Sequence, residues 1–436
     1  MTAPQTVPAA PVSEPVPLTD PALAKLAEFD GRLVAAAKGV RVLAFLDWPP
    51  SVREAFLRSW ASGDPELPRH EYAKADFSKE TLELKEIAYG VDRQHPVGRY
   101  IYETAKSYMT AASMLQNVGT PAFTATSVDL YGKPGDRLGP GNLTNVDAAD
   151  HFLKISDEFA RSVYITEADY SLTPETVAKN LDEIVRPVFG SHTPAFVVDP
   201  GLASKAAAGA SRVRIRGNTK FAALDVGQLA QHEVFVHSAT MRNGLEQPYL
   251  KSLSLGAPRT TRTQEGLATL AELITSTIDL SRLRRIALRV KAIAMALEGA
   301  DFLEVFQYFQ ESGQDEFESY QSSMRVFRGG DVRGGICFTK DDVYVEGLIL
   351  VHTFLRRAIQ TGKVDFPHYL MAGRLSLGDV VQLEPYFKSG FIAMPTIESP
   401  WVANRHCLAA YLCYATFANR IELNDIDFPQ FVQMDR

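Results

Sequence analysis

The stretch Gln231-His232-Glu233-Val234-Phe235-Val236-His237 constrains the fold more than any other part of the chain. Its surroundings read as a helix from about Ala222 to Thr240. Two imidazoles bracket the stretch, and a carboxylate stands beside the first. Histidines five positions apart diverge by about 140° on a regular helix that turns about 100° per residue. Two ligands of one ion cannot diverge that far. A local π-bulge within 232–237 is therefore expected, because i→i+5 widening brings the rings back together. Glu265 begins another helical pattern further on, next to Gly266, whose missing side chain permits close approach to the first helix.

His232, His237 and Glu265 form a donor set of two imidazoles and one carboxylate. That set suits a single Zn2+ ion with one position left open. Such an ion lowers the pKa of a water to about 7 and polarises a carbonyl. Glu233, adjacent to a ligand, is the expected base: it can take the water proton and pass it to a leaving amine. Asp225 and Glu272 are candidates to orient a ligand imidazole. Strings of this kind also arise by chance, as two histidines and a solvated glutamate with no ion between them.

The 436 residues suffice for two or three domains, or one large enzyme with two lobes. A net charge of −7 argues against a nucleic-acid or anionic-membrane binder, which would need a basic face. No apolar run is long enough to span a bilayer, and the N-terminus lacks the features of a secretory signal. Three cysteines with no CxxC pair suggest neither a disulfide framework nor a thiolate metal site, so a cytoplasmic location is expected. Cys337 reads as a small buried thiol.

Residues 1–18 hold five prolines and read as a disordered tail. Residues 19–190 are expected to form a mainly helical N-terminal lobe, and 191–436 a catalytic lobe. Arg41 to Trp48 reads as a strand or buried segment, and Thr120 to Tyr131, rich in β-branched and aromatic residues, as a strand. A helix is expected over roughly 146–162. Ser204 to Ala210 reads as a connector. Arg212-Val213-Arg214-Ile215-Arg216 alternates as a half-buried edge strand does, with Val213 and Ile215 inward and the arginines outward. A peptide could add to that edge. Asn243-Gly244 is a turn signal. Thr261 with Gln264 fits a capping box for the Glu265 helix.

The composite of HEVFVH, Asn243-Gly244 and Thr263-Gln264-Glu265-Gly266-Leu267-Ala268 resembles the microtubule-associated tyrosine carboxypeptidases, whose bacterial relatives are catalogued as flavohaemoglobin expression-modulating QEGLA motif proteins. The resemblance extends to Leu130-Tyr131-Gly132-Lys133-Pro134, to Arg325-Val326-Phe327-Arg328-Gly329-Gly330 and to Phe338-Thr339-Lys340-Asp341. It implies a zinc metallopeptidase in which the two histidines and the QEGLA glutamate hold zinc and the HExxxH glutamate is the base. All four positions match, as His232, His237, Glu265 and Glu233. The animal members carry a long N-terminal extension thought to help engage microtubules. Here the tail has no Lys or Arg, so microtubule binding is not expected from it.

The expected fold is α+β, a zincin-like metallopeptidase core with a small sheet. The expected reaction is hydrolysis of a peptide or peptide-like amide, at the C-terminal residue of a peptide or protein, with an aromatic, Tyr-like residue in view. The alternatives are a zinc hydrolase of a non-peptide amide and a regulatory or binding protein with a structural zinc site. A substrate carboxylate calls for a cation: Arg328 and Arg333 come first, then Arg216 and Arg214. Tyr344, or His352, is placed to stabilise the oxyanion.

Overall fold

A computed structural model describes residues 18–139, 141–159 and 169–421. The proline-rich tail lies outside these residues except for Leu18, as does the end of the helix expected over 146–162, which is described as Asn145–Phe159. Helices dominate. Pro96–Gln116 shows why: Pro96 suits the first helical turn, and Val97, Ile101, Thr104, Tyr108, Ala111 and Leu115 recur three or four apart to give one buried stripe. One apolar core runs from Leu26 to Leu412 and includes side chains from before and after residue 190. A second core is largely aromatic and joins Trp48 and Phe56 to Phe302, Phe306, Phe309, Tyr320 and Phe327.

One stretch expected as a strand or buried segment and one expected as a strand are helical. Val42–Leu46 is a short helix, and no described strand lies beside it to complete a ladder. Pro121–Tyr131 is a helix because Pro121 starts it and Phe123, Ser127 and Tyr131, four apart, are the positions it buries. Burial on one face outweighs the β-propensity of its threonines.

The strands form two small antiparallel or mixed units: β1 (Tyr170–Leu172) with β5 (Phe221–Ala222), and β2 (Ala195–Asp199), β4 (Arg212–Arg216) and β3 (Ala206–Ala207) in the order β2-β4-β3. β4 is therefore central, parallel to β2 and antiparallel to β3. This corrects the edge-strand expectation. Val213 and Ile215 do face inward, but Arg216 is buried too, at 5 % exposure, with Nη2 on Glu318 (3.2 Å) and Nη1 on the Ala203 carbonyl (3.2 Å). The sheet edge beside the His232 helix is β3, within the stretch expected as a connector, and the residue after it, Ala208, reaches Glu233.

One continuous helical rod carries both histidines: α-helical over Ala223–Leu229, π-helical over Ala230–Ser238 and α-helical again over Ala239–Glu246. Asn243-Gly244 lies inside its last segment rather than in a turn. Gly244 is there for packing, since a Cβ would stand 2.4 Å from the Leu253 backbone. Asn243 donates to the carbonyls of Met371 and Ile397, both at 2.7 Å, and ties the rod to later loops. The Glu265 helix, Thr261–Ile274, has no capping box: Gln264 turns away and accepts from Thr240 Oγ1 at 3.0 Å.

Candidate metal centre

The π-helical segment is what aims the two imidazoles at one point. Ala239 N–H reaches back five residues to the Val234 carbonyl. Val234, Phe235 and Val236 are all buried, so the segment is enclosed and cannot satisfy freed carbonyls with water. Neighbours do so instead. Ser399 Oγ donates to the Phe235 carbonyl at 2.5 Å, and Arg374 Nη2 lies 3.5 Å from the His237 carbonyl. The two rings stand 4.9 Å apart between centroids with planes at 88°.

Between the rings stands Glu265. Its Oε2 is 3.4 Å from His232 Nε2 and 3.6 Å from His237 Nε2. These three residues offer ligand atoms that all lie within 4.8 Å of one another. Tetrahedral ligands about 2.0–2.1 Å from zinc stand roughly 3.3 Å from each other, close to what is seen. Glu265 Oε2 is buried and makes no well-formed hydrogen bond among the described residues, so a strong acceptor is left for a cation. The residues present fit a metal ion.

The surroundings hold this arrangement. Glu272, two turns after Glu265 on the same helix, has Oε1 2.6 Å from His232 Nδ1, which leaves Nε2 to face the site. Arg282 pairs with Glu272 at 3.2 Å. Burial favours the neutral form of Glu272, but Arg282 and His232 outweigh it and hold the carboxyl at about 2. Burial likewise favours neutral His232, yet Glu265 and Glu272 raise it to about 10. Lys340 Nζ lies 3.2 Å from Glu265 Oε1, so one carboxylate oxygen is held and the other is free. Against the opposing effect of burial, Lys340 and His232 push Glu265 well below the usual carboxylate range.

Glu233 is half-buried and accepts from the Ala208 amide at 3.1 Å, just past the end of β3. It borders two cavities. One, of about 480 Å3, also touches His237, Glu265, Tyr108, Tyr131, Lys340 and Arg374. The other, of about 630 Å3, touches His232, Tyr344, Arg216, Arg289, Arg325 and Arg328. The segment around Leu43 and Ala44 borders both.

Other sites expected from the sequence scatter. Tyr344 is buried beside the larger cavity, its ring faced by Lys340 (5.3 Å), Arg289 (5.8 Å) and Arg282 (6.0 Å). Arg328 and Arg216 border the same cavity, and so does Arg214, exposed and paired with Asp199. Arg333 does not: it is exposed and bonded to Asp331 two residues away, so it closes a surface turn. His352 borders neither cavity and packs near Tyr411. Asp225 holds Lys205 (2.7 Å) and the Ala222 amide instead of an imidazole. Cys337 is fully buried, and burial pushes its thiol up to about 12. The sequence reading missed Lys340, Arg374, Arg282, Arg289 and Arg325. Lys340 and Arg325 sit in the FTKD and RVFRGG strings, which marked them without giving a role.

A protein-family model described as "Microtubule-associated tyrosine carboxypeptidase" matches residues 54–420. No curated protein matches the chain.

Proposed function

The chain belongs to the microtubule-associated tyrosine carboxypeptidase family, and from that premise we propose that it is a zinc-dependent carboxypeptidase that hydrolyses the last amide bond of a peptide or protein. The observation that carries this reading is the buried Glu265 Oε2, left free at 3.4 and 3.6 Å from two imidazole nitrogens. His232, His237 and Glu265 would hold one Zn2+ ion in a zincin-like core of small sheet and two ligand helices. When bound, zinc would polarise the substrate carbonyl and acidify a water.

Glu233 takes the proton of the attacking water and delivers it to the amine as the C–N bond breaks. The Ala208 amide keeps that carboxylate in place between the two cavities. Glu272 fixes the tautomer of His232, with Nδ1 occupied and Nε2 presented. Tyr344 donates from its hydroxyl to the carbonyl oxygen as negative charge grows there. The cations around its ring favour that charge. The leaving residue carries a carboxylate, and the arginine-rich cavity is where a cation awaits it. A cytoplasmic peptide or protein C-terminus is the substrate class proposed.

Glu233→Gln tests this directly. The substitution leaves all three metal ligands in place and removes the base. The metal content is expected to match wild type, while the rate of residue release from a peptide library varied at its C-terminus falls by about 10²–10⁴-fold. Unchanged release in Glu233→Gln, or cleavage of internal bonds only in wild type, would overturn the proposal.

A further inference from the structure

We propose that the larger cavity is the pocket for the released residue, and that Arg328, with Arg289 beside it, binds its α-carboxylate there. The proposal rests on the peptidase reading above and adds the direction in which the substrate lies.

Charge in this cavity is unbalanced at one place. Asp341 is shared by two guanidinium groups: Arg325 binds it at 2.5 and 2.8 Å, while Arg289 Nε stands 3.7 Å from the same carboxylate. Arg328 is 6 % exposed, and no carboxylate pairs with it among the described residues. Its guanidinium lies over the Phe338 ring at 5.4 Å. The Nε atoms of Arg289 and Arg328 are both buried without an acceptor. A buried cation in that state is costly unless an anion completes it. A carboxylate does so best, because its two oxygens match the fork of a guanidinium. Burial and the nearby Arg325 push Arg289 down to about 10 and Arg328 below its usual value, as surplus positive charge requires.

The position relative to the metal centre is also right. Glu265 is held by Lys340, Lys340 faces Tyr344, and Tyr344 faces Arg289, so the arginines follow the ligands through two intervening side chains. The competing cation is Arg374 in the smaller cavity. Its Nη2 lies 3.5 Å from the His237 carbonyl, and its Nε, like those of Arg289 and Arg328, is buried without an acceptor among the described residues, so the acid–amide comparison includes it. Strand geometry gives the same direction. β3 is a sheet edge; Ala206 and Ala207 border the larger cavity and Ala208 the smaller one. A peptide lying antiparallel beside that edge, past the Ala208 amide that holds Glu233, runs from the smaller cavity to the larger and ends among the arginines.

The test uses two peptides identical except that one ends in a free acid and the other in an amide. Binding is read by fluorescence anisotropy on zinc-loaded Glu233→Gln, and turnover on zinc-loaded wild type. The acid is expected to win by about 100-fold in both, as charge-assisted hydrogen bonds of this kind supply. Adding Arg328→Met should bring the ratio near one through loss of the acid alone, Arg328→Lys should give an intermediate ratio, and Arg374→Met should leave it intact. Equal handling of acid and amide by the unaltered arginines, a ratio that survives Arg328→Met, or one lost only in Arg374→Met would overturn the assignment. Acid-selective binding without cleavage would remove the hydrolase reading and keep this site; cleavage without acid selectivity would do the reverse. If Arg328→Met does not fold, the acid–amide comparison and Arg328→Lys still decide.

Discussion

Glu272 carries two tasks on one carboxylate: it orients His232 and answers the charge of Arg282. Glu272→Gln keeps the size and can still accept a hydrogen bond, but it loses the charge. Zinc affinity is expected to fall about 10–100-fold, measured by competition with a chromophoric chelator; unchanged affinity would mean that His232 orients itself. Asp342 poses the opposite problem. It is fully buried, and neither carboxyl oxygen has a partner among the described residues, because the Asn145 amide donates to its backbone carbonyl at 2.8 Å. Burial, with Glu346 and Asp136 nearby, raises it to about 8, against the usual 3.8. The folded state then holds a proton that the unfolded chain releases, so stability is greatest below about pH 4 and is lost as pH rises towards 8. Asp342→Asn is expected to raise the melting temperature, with a gain that grows from pH 5.5 to pH 8 on the order of 1 kcal/mol per pH unit. A gain that does not change with pH would contradict this. At this scale the sequence marked the local strings well: His232, Glu233 and His237 sit together, and Glu265 lies in a recognisable string. It could not separate Arg328 from Arg333. Both belong to one glycine-flanked segment, yet one is buried against Phe338 and the other closes an exposed turn. Nor could it give Lys340 its partner, since the two lie 75 residues apart in sequence.

At the scale of elements, the site depends on a close helix crossing. Gly266 lies against Gly347 of the helix Val343–Gln360, and a Cβ on Gly266 would stand 2.2 Å from the Gly347 carbonyl. Both backbones must move for anything larger to fit. Gly266→Ala is expected to cost about 1–3 kcal/mol in stability. It should also weaken zinc binding, because the shifted residue is next to Glu265. Thermal melting and chelator competition read the two effects; a variant with both unchanged would show that the crossing is looser than described. The π-helical segment was legible because two histidines five apart converge only if the helix widens there. The partners that sustain it were not, since Ser399 and Arg374 reach its carbonyls from more than 130 positions away. Local propensity misled at Thr120–Tyr131, where a buried stripe four apart overrode the β-branched residues, and at Asn243-Gly244, where glycine serves contact rather than a turn.

Over the whole molecule, charge and core both hide what matters. The net charge of −7 gives no hint of a cavity bordered by Arg282, Arg285, Arg289, Arg325 and Arg328, because a sum carries no positions. The main core joins Leu26 to Leu412, so the helices that carry His232, His237 and Glu265 are braced by residues from nearly the full length of the described chain. Asp30, near the start, binds the Ser252 hydroxyl and its amide, and Arg259 grips Asp379 at 2.7 Å. Such long-range contacts tie together the segments that flank the His232 and Glu265 helices. They were invisible in the sequence, where the class of fold could be read but the order β2-β4-β3 and the placement of Arg216 could not. No described helix is long and apolar enough to cross a membrane.

The central claim is that His232, His237 and Glu265 converge on one ion. The most direct measurement is zinc content per chain at equilibrium with a fixed free-zinc buffer, for wild type and for Glu265→Gln. Expected is one zinc per wild-type chain and almost none in Glu265→Gln at the same free concentration, with both proteins folded by circular dichroism. A folded wild type that takes up no zinc, or a Glu265→Gln variant that binds it equally well, would contradict it.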